Sequence, residues 1–339
     1  MGNKQHPDPD LKTAKLGVQI EGNTGSERTL FYCSSLKEDF PIVLKLLLSL
    51  IFHPEFQPEK CEREKRESIL TAVNQETNYT YWKLSELWAE NLVFKWDRLK
   101  SLGNYQDIVS LDIDDLKTRH KKYFNTGNSY IIVHGDIYKK DLSNLVKHVK
   151  IPEKGEKPKV YRTAYNESDV WLNRNNPPIV ETYYGFSIPE FHPGWELIKK
   201  IMGNYPEFKL WKGGFHSLCY MVDSKIKWTS TNGGFFLYFG ASSKKDSIEV
   251  DIAIWDLLEN FHITDDELTY AKKIKIIEIM KMKEGGELGL ISFLNSNPSL
   301  RYKDFDEMED GIIKVDKTEI SNLAAKYLKK NNSIRVRVG

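Results

Sequence analysis

A 25-residue segment occurs twice in this chain, and that duplication limits the fold more than any other feature. Residues 111–135 read LDIDDLKTRHKKYFNTGNSYIIVHG, and residues 315–339 read VDKTEISNLAAKYLKKNNSIRVRVG. They align without a gap at an offset of 204, pairing Asp112 with Asp316, Lys122 with Lys326 and Tyr123 with Tyr327. Asn128 with Asn332, Ser129 with Ser333 and Gly135 with Gly339 complete the identities. Each copy reads as a helix stopped by an Asn-containing turn, then an apolar strand ending in Gly. A second match, LFYCSSLKED at 30–39 with LYFGASSKKD at 237–246, lies at an offset of 207. The pattern of a duplicated domain follows.

The expected fold class is α+β: two homologous domains, each an antiparallel-rich sheet covered on one face by helices. The first domain spans 1–150 and the second 161–339, with the Pro/Gly/Lys-rich IPEKGEKPKV (151–160) as linker. Only 29 residues precede Leu30, whereas about 75 lie between the linker and Leu237. The first domain is therefore expected to be N-terminally truncated and the second complete.

Within the first domain, residues 15–22 and 28–35 alternate like two strands of a hairpin turning through Gly22–Gly25. Helices are expected over 39–52, from Pro58 onward, over 80–95 and over 112–124, with a strand at 129–134. In the second, strand 179–188 and helix 193–203 precede strands 217–223 and 234–241. Helices 246–260 and 265–283 and the repeated helix–strand follow. The Gly213-Gly214, Gly233-Gly234 and Gly285-Gly286 pairs read as turns, because none has the spacing of a phosphate loop.

Charge excludes some functions. Lys+Arg 49 against Asp+Glu 48 leaves +1, so no global field draws the chain to nucleic acid or acidic lipid. No apolar run approaches the ~20 residues of a membrane span. The three cysteines, Cys33, Cys61 and Cys219, are scattered, which favours a reducing compartment such as the cytoplasm or mitochondrial matrix over a disulfide framework or thiolate zinc site.

Several landmarks occur in an order that resembles the insulinase/pitrilysin family of zinc peptidases, which includes mitochondrial processing peptidase and the core subunits of the cytochrome bc1 complex. Leu16-Gly17 with Gly22, Thr24, Thr29 and Phe31 is similar to the family's opening hairpin. His53-Pro54-Glu55-Phe56 with Pro58-Glu59 resembles its entry to a long helix. Gly103, Ile108, Asp115-Leu116, Tyr123, Asn128 and Gly135-Asp136 follow another family run. Leu218-Cys219-Tyr220 and Thr264-Asp265-Asp266-Glu267-Leu268 supply landmarks in the second half.

The resemblance implies zinc as the family cofactor, held by two His of an HxxEH motif and a Glu from the later long helix. Two His four residues apart are needed because only then do both imidazoles leave one helical face toward one ion. No two of the eight His here are closer than fourteen residues, as at His120 and His134. The family's third ligand falls at Thr71 or Ala72, with Glu67 and Glu76 about a helical turn away. No metal ligand, no catalytic residue and no cofactor of this chain's own are therefore expected.

The resemblance also implies a peptide site. Tyr220 matches a tyrosine that holds the peptide carbonyl in active members, and Lys212 stands near the place of their arginine. A Lys supplies a single point of contact rather than a planar fork. Gly22, Asn23 and Thr24 match the edge strand to which family members add substrate as an extra strand. The alternatives are a strand tyrosine, a solvated turn lysine and an edge used only for internal pairing. The expected role is a catalytically inactive homologue, partnering an active or complementary family member, self-associating, or holding extended peptide. The rivals are part of a zinc peptidase whose HxxEH half is on another chain, and a core-type scaffold subunit.

Overall fold

The computed structural model describes every residue except 1–7, 26, 79–80, 96–104, 148, 150, 153–154, 156–167, 174–178, 204–208, 214, 230 and 298–299, and the side chains of 74–78, 81–82, 211 and 216. Most of the expected linker and Gly214 thus lie outside the described residues. The chain divides into two compact units, Met1–Asn78 with Lys100–Val160, and Tyr79–Leu99 with Tyr161–Gly339.

The first unit opens with helix α1 (Pro9–Lys15), not with the expected strand. Asp8 caps it by accepting from the Leu11 amide at 3.1 Å, and Pro9 occupies the first turn. The hairpin is consequently short: β1 (Glu21–Thr24) pairs antiparallel with β2 (Thr29–Tyr32). Helices α2 (Phe40–Phe52) and α3 (Pro58–Asn78) follow. Leu44, Leu48 and Phe52 of α2 pack against Phe124, Leu142, Leu145 and Val146 to form the small core of this unit.

Next in the chain is α4 (Tyr81–Phe94), which belongs to the second unit. The first unit resumes with α5 (Tyr105–Ser110), α6 (Ile113–Tyr123) and α7 (Lys139–Lys147). The segment 129–134, expected as a strand, forms no ladder with any described residue. Its counterpart in the second unit has two strand neighbours. The described residues of the first unit bring no such pair to its side.

The second unit is built on five strands. They are β3 (Asp169–Leu172), β4 (Val180–Ile188), β5 (Cys219–Trp228), β6 (Gly233–Ala241) and β7 (Ser333–Val338), in the order β3-β7-β4-β6-β5. Only β3 and β7 are parallel. Its remaining helices are α8 (Gly194–Met202), α9 (Lys209–Lys212), α10 (Lys244–Glu259), α11 (Asp265–Glu284), α12 (Gly286–Ser296), α13 (Phe305–Lys314) and α14 (Lys317–Tyr327). Side chains alternate across a strand, so Tyr184, Phe186 and Phe235 leave one face. There Phe235 meets Trp195 of α8, and Tyr184 and Phe186 meet Trp255 of α10.

The opposite face receives α4. Its Ala89, Leu92, Val93 and Phe94 pack on Tyr183, Phe236 and Val336 in a core closed to water. Gly185 and Gly234 make this approach possible: a Cβ on them would lie 2.4 and 2.9 Å from Val93. Gly233 and Gly234, expected as a turn, open strand β6: Gly234 makes room for Val93, and a Cβ on Gly233 would lie 2.3 Å from Trp228. Expected with the first domain from its place in the chain, helix α4 instead completes the second sheet by its packing. Its apolar stripe announced a buried helix but carried no information about which sheet would bury it.

Candidate functional site

The expected peptide-site residues fall in both units. Gly22, Asn23 and Thr24 lie in β1, opposite Phe31, Leu30 and Thr29 of β2, and all three are exposed. Among the described residues β2 is the only ladder partner of β1, so its other edge keeps the main-chain groups that strand addition uses. Lys212 is the exposed last residue of α9, and Tyr220 stands near the start of β5.

Tyr220 is placed by a bulge. The β5–β6 register shifts between Cys219 and Met221, which leaves Tyr220 outside the ladder. Its ring lies over Gly240, where an added Cβ would come within 2.2 Å of it. Although the residue is 58% exposed, its hydroxyl donates to Oε1 of Glu181, which is 1% exposed. The other carboxylate oxygen, Oε2, is buried without a hydrogen-bond partner. Burial raises the Glu181 pKa, and the Tyr220 hydrogen bond only partly offsets this. Burial likewise raises the Tyr220 pKa, reinforced by the hydrogen bond to Glu181 and its charge.

This pair changes what the tyrosine can offer. With Glu181 ionised, the phenol's single proton is committed to the carboxylate, and toward a peptide the oxygen accepts an N–H. With Glu181 protonated, the carboxyl can donate instead, freeing the phenol to donate to a carbonyl. Glu181 was not among the expected site residues. Its signal was a lone carboxylate inside the apolar run IVETYYGF.

A second charged cluster lies where α4 meets β5. Lys225 donates to Glu86 and, at 3.1 Å, to Glu90, while Lys227 reaches Glu90 at 2.5 Å and Lys83 reaches Glu86 at 2.6 Å. Burial works against the charged form of Lys225, but Glu90 and Glu86 outweigh it and raise its pKa. The reciprocal effect, chiefly of Lys225, keeps Glu86 low despite burial. Spacing of four on the helix and two on the strand aligns these charges. The cluster clamps α4 to the sheet.

Among the described residues no group of three or more His, Cys, Asp or Glu is placed to hold a metal ion, and the residues at the expected ligand position do not suit zinc. Thr71 donates its hydroxyl back to Glu67 O at 2.9 Å, and Ala72, 2% exposed, has no donor. Glu67 is exposed and lies 3.9 Å from Arg63, while the Glu76 side chain is outside the described residues. Cys219 is no nucleophile: its thiol donates to Phe215 O at 3.0 Å, and burial pushes its pKa up to about 11. His192 is a turn residue, its Nδ1 accepting from the Gly194 amide at 3.0 Å.

Residues 3–101 match the insulinase family (peptidase family M16), and residues 110–275 match the peptidase M16 inactive domain. The chain belongs to the insulinase family. It is 29% identical to chloroplastic stromal processing peptidase of Arabidopsis thaliana over 137 residues, 37% of this chain and 10% of that protein. It thus spans a small part of that relative's length. Among solved structures it is similar to a protease from Helicobacter pylori (TM-score 0.82, 14% identity, 98% of this chain and 85% of that one). A peptidase M16 inactive domain from Pseudomonas fluorescens gives 0.81 at 17% identity, covering 98% and 83%. A chain of complex III2 from Candida albicans gives 0.77 at 16% identity, covering 98% and 85%. At these identities the likeness to the solved structures is one of fold.

Proposed function

We propose that this chain is a non-catalytic insulinase-family subunit, working beside a complementary family member and keeping extended-peptide contacts in each unit, the β1 edge in the first and Tyr220 with Lys212 in the second. One observation carries the reading: Thr71 and Ala72 occupy the place of the family's third zinc ligand, and neither can bind the ion there. Strand addition uses main-chain groups, so peptide affinity survives the loss of a metal centre. The partnering half is supported by the first unit, which carries thirteen of the 21 exposed large hydrophobics among the described residues although it is the smaller unit. A core-type scaffold role is the second reading, favoured by the same exposure and by the fold shared with a complex III2 chain.

Elemental analysis after dialysis against trace zinc tests the first clause. The expected result is substoichiometric zinc and no chelator-sensitive peptide cleavage. One tightly held zinc per chain overturns it. Adding a separately expressed HxxEH-bearing family member tests the second: a stable heterodimer is expected, and chelator-sensitive cleavage dependent on this chain would instead favour a split enzyme. For the peptide site, Tyr220→Phe should alter peptide affinity more at pH 5 than at pH 8, because only a protonated Glu181 frees the phenol to donate. Unaltered affinity at both pH values, with lowered thermal stability, would make Tyr220 a structural tyrosine.

A further inference from the structure

On the helical face of the second sheet, away from Tyr220, an open groove of about 590 Å³ runs between α10 and the β3–β7 edge. Four carboxylates line it, Asp169, Asp251, Asp256 and Glu259, against two cations, Arg335 and Lys330. Arg335 is engaged by Asp169 and, at 3.1 Å, by Asp251. Asp256 accepts from the Asn260 amide at 3.0 Å, and no ion pair reaches it among the described residues. The groove therefore keeps net negative character.

Tyr184 is the independent pointer to a ligand. It lines the groove, is fully buried at 0% exposure, and its hydroxyl has no hydrogen-bond partner. A buried hydroxyl is costly to leave unpaired and is normally satisfied. Its ring meets Trp255 edge-on at 5.4 Å. The chain also shows what this rim accepts: the Lys330 ammonium sits 5.4 Å from the Trp255 ring centre and 3.2 Å from Glu259.

We propose that this groove binds a primary alkylammonium, with Asp256 and Glu259 meeting the charge, Trp255 offering its ring and Tyr184 its oxygen. The group is carried either by a free polyamine or by a lysine side chain of another protein. Lys330 competes for the same rim from within.

Calorimetry of the full chain at low salt tests this with two probes, spermidine and a short acetylated lysyl peptide. Saturable one-to-one binding of either supports the proposal, and whichever binds identifies the source. Asp256→Asn with Glu259→Gln, both exposed positions, should weaken it tenfold or more. Tyr184→Phe should weaken it about tenfold, as for a lost hydrogen bond to a charged group, without lowering the melting temperature. Lys330→Gln should tighten it several-fold, which a structural role would not do. No saturable heat with either probe, or equal binding by the charge-neutralised variant, overturns the proposal.

Discussion

The repeated helix–strand offers a comparison of one local design in two settings. Helices α6 and α14 begin with the same device: Asp112 and Asp316 each accept from the amide three residues on, and Asp115 and Glu319 reach back to the cap amide. The likeness ends at the cap. Ile320 and Ala324 are buried in α14, whereas α6 buries nothing and Leu116, at the position of Ile320, is 36% exposed. Strand β7 lies between β3 and β4, while residues 129–134 have no ladder partner among the described residues. Among the described residues, eight of the 49 buried apolar ones belong to the first unit. Local sequence makes the helix and its cap; neighbours make the sheet and the core.

The largest effect that can break this contrast comes from the paired core position. Ile320→Ala should destabilise the second unit by about 2–5 kcal/mol, and Leu116→Ala should cost the first unit less than about 1 kcal/mol. Denaturant unfolding followed separately in the two units decides it. Equal costs would mean that α6 is packed as deeply as α14. Cap removal sharpens the same contrast from the other side. Asp112→Ala and Asp316→Ala should each cost about 1 kcal/mol, because the cap bond is local and alike in both. A large inequality there would contradict the claim that the copies differ only beyond the helix.

A smaller effect concerns Glu181, which has no counterpart in that contrast. Its folded pKa is raised above the ordinary 4.5, so in the window above that value the folded state binds the proton more tightly. Stability from this group is therefore present at low pH and is lost as pH rises through the folded value. Glu181→Gln should remove that slope, so that the variant gains stability relative to the parent as pH rises from 4 to 7. Melting curves of both proteins across pH 4–8 measure it. The reference must be the parent chain, because Glu86, its pKa lowered mainly by Lys225 against burial, adds stability of the opposite pH sense.

The helices and the long central strands were legible because their signals are local. Asp112, Asp316 and Thr264 mark helix starts, and the short apolar, aromatic-rich runs over 179–188 and 234–241 mark strands β4 and β6. The insulinase-family order of landmarks was legible too, and the family matches agree with it. What escaped was set by partners distant in sequence. The four-residue β3 is a strand only because β7 lies beside it, and 129–134 is not one for want of such a neighbour. The seat of α4 depends on Gly185 and Gly234, about ninety residues or more away. Glu181 became visible as Tyr220's partner only when the β5 bulge turned that ring over Gly240.

Amide hydrogen exchange of the full chain tests the central contrast most directly. Residues 333–338 should exchange only through large-scale opening of the second unit, while 129–134 should exchange at nearly unprotected rates. Comparable slow exchange in both segments would contradict the account, since it would require a strand ladder around the first copy that the described residues do not form.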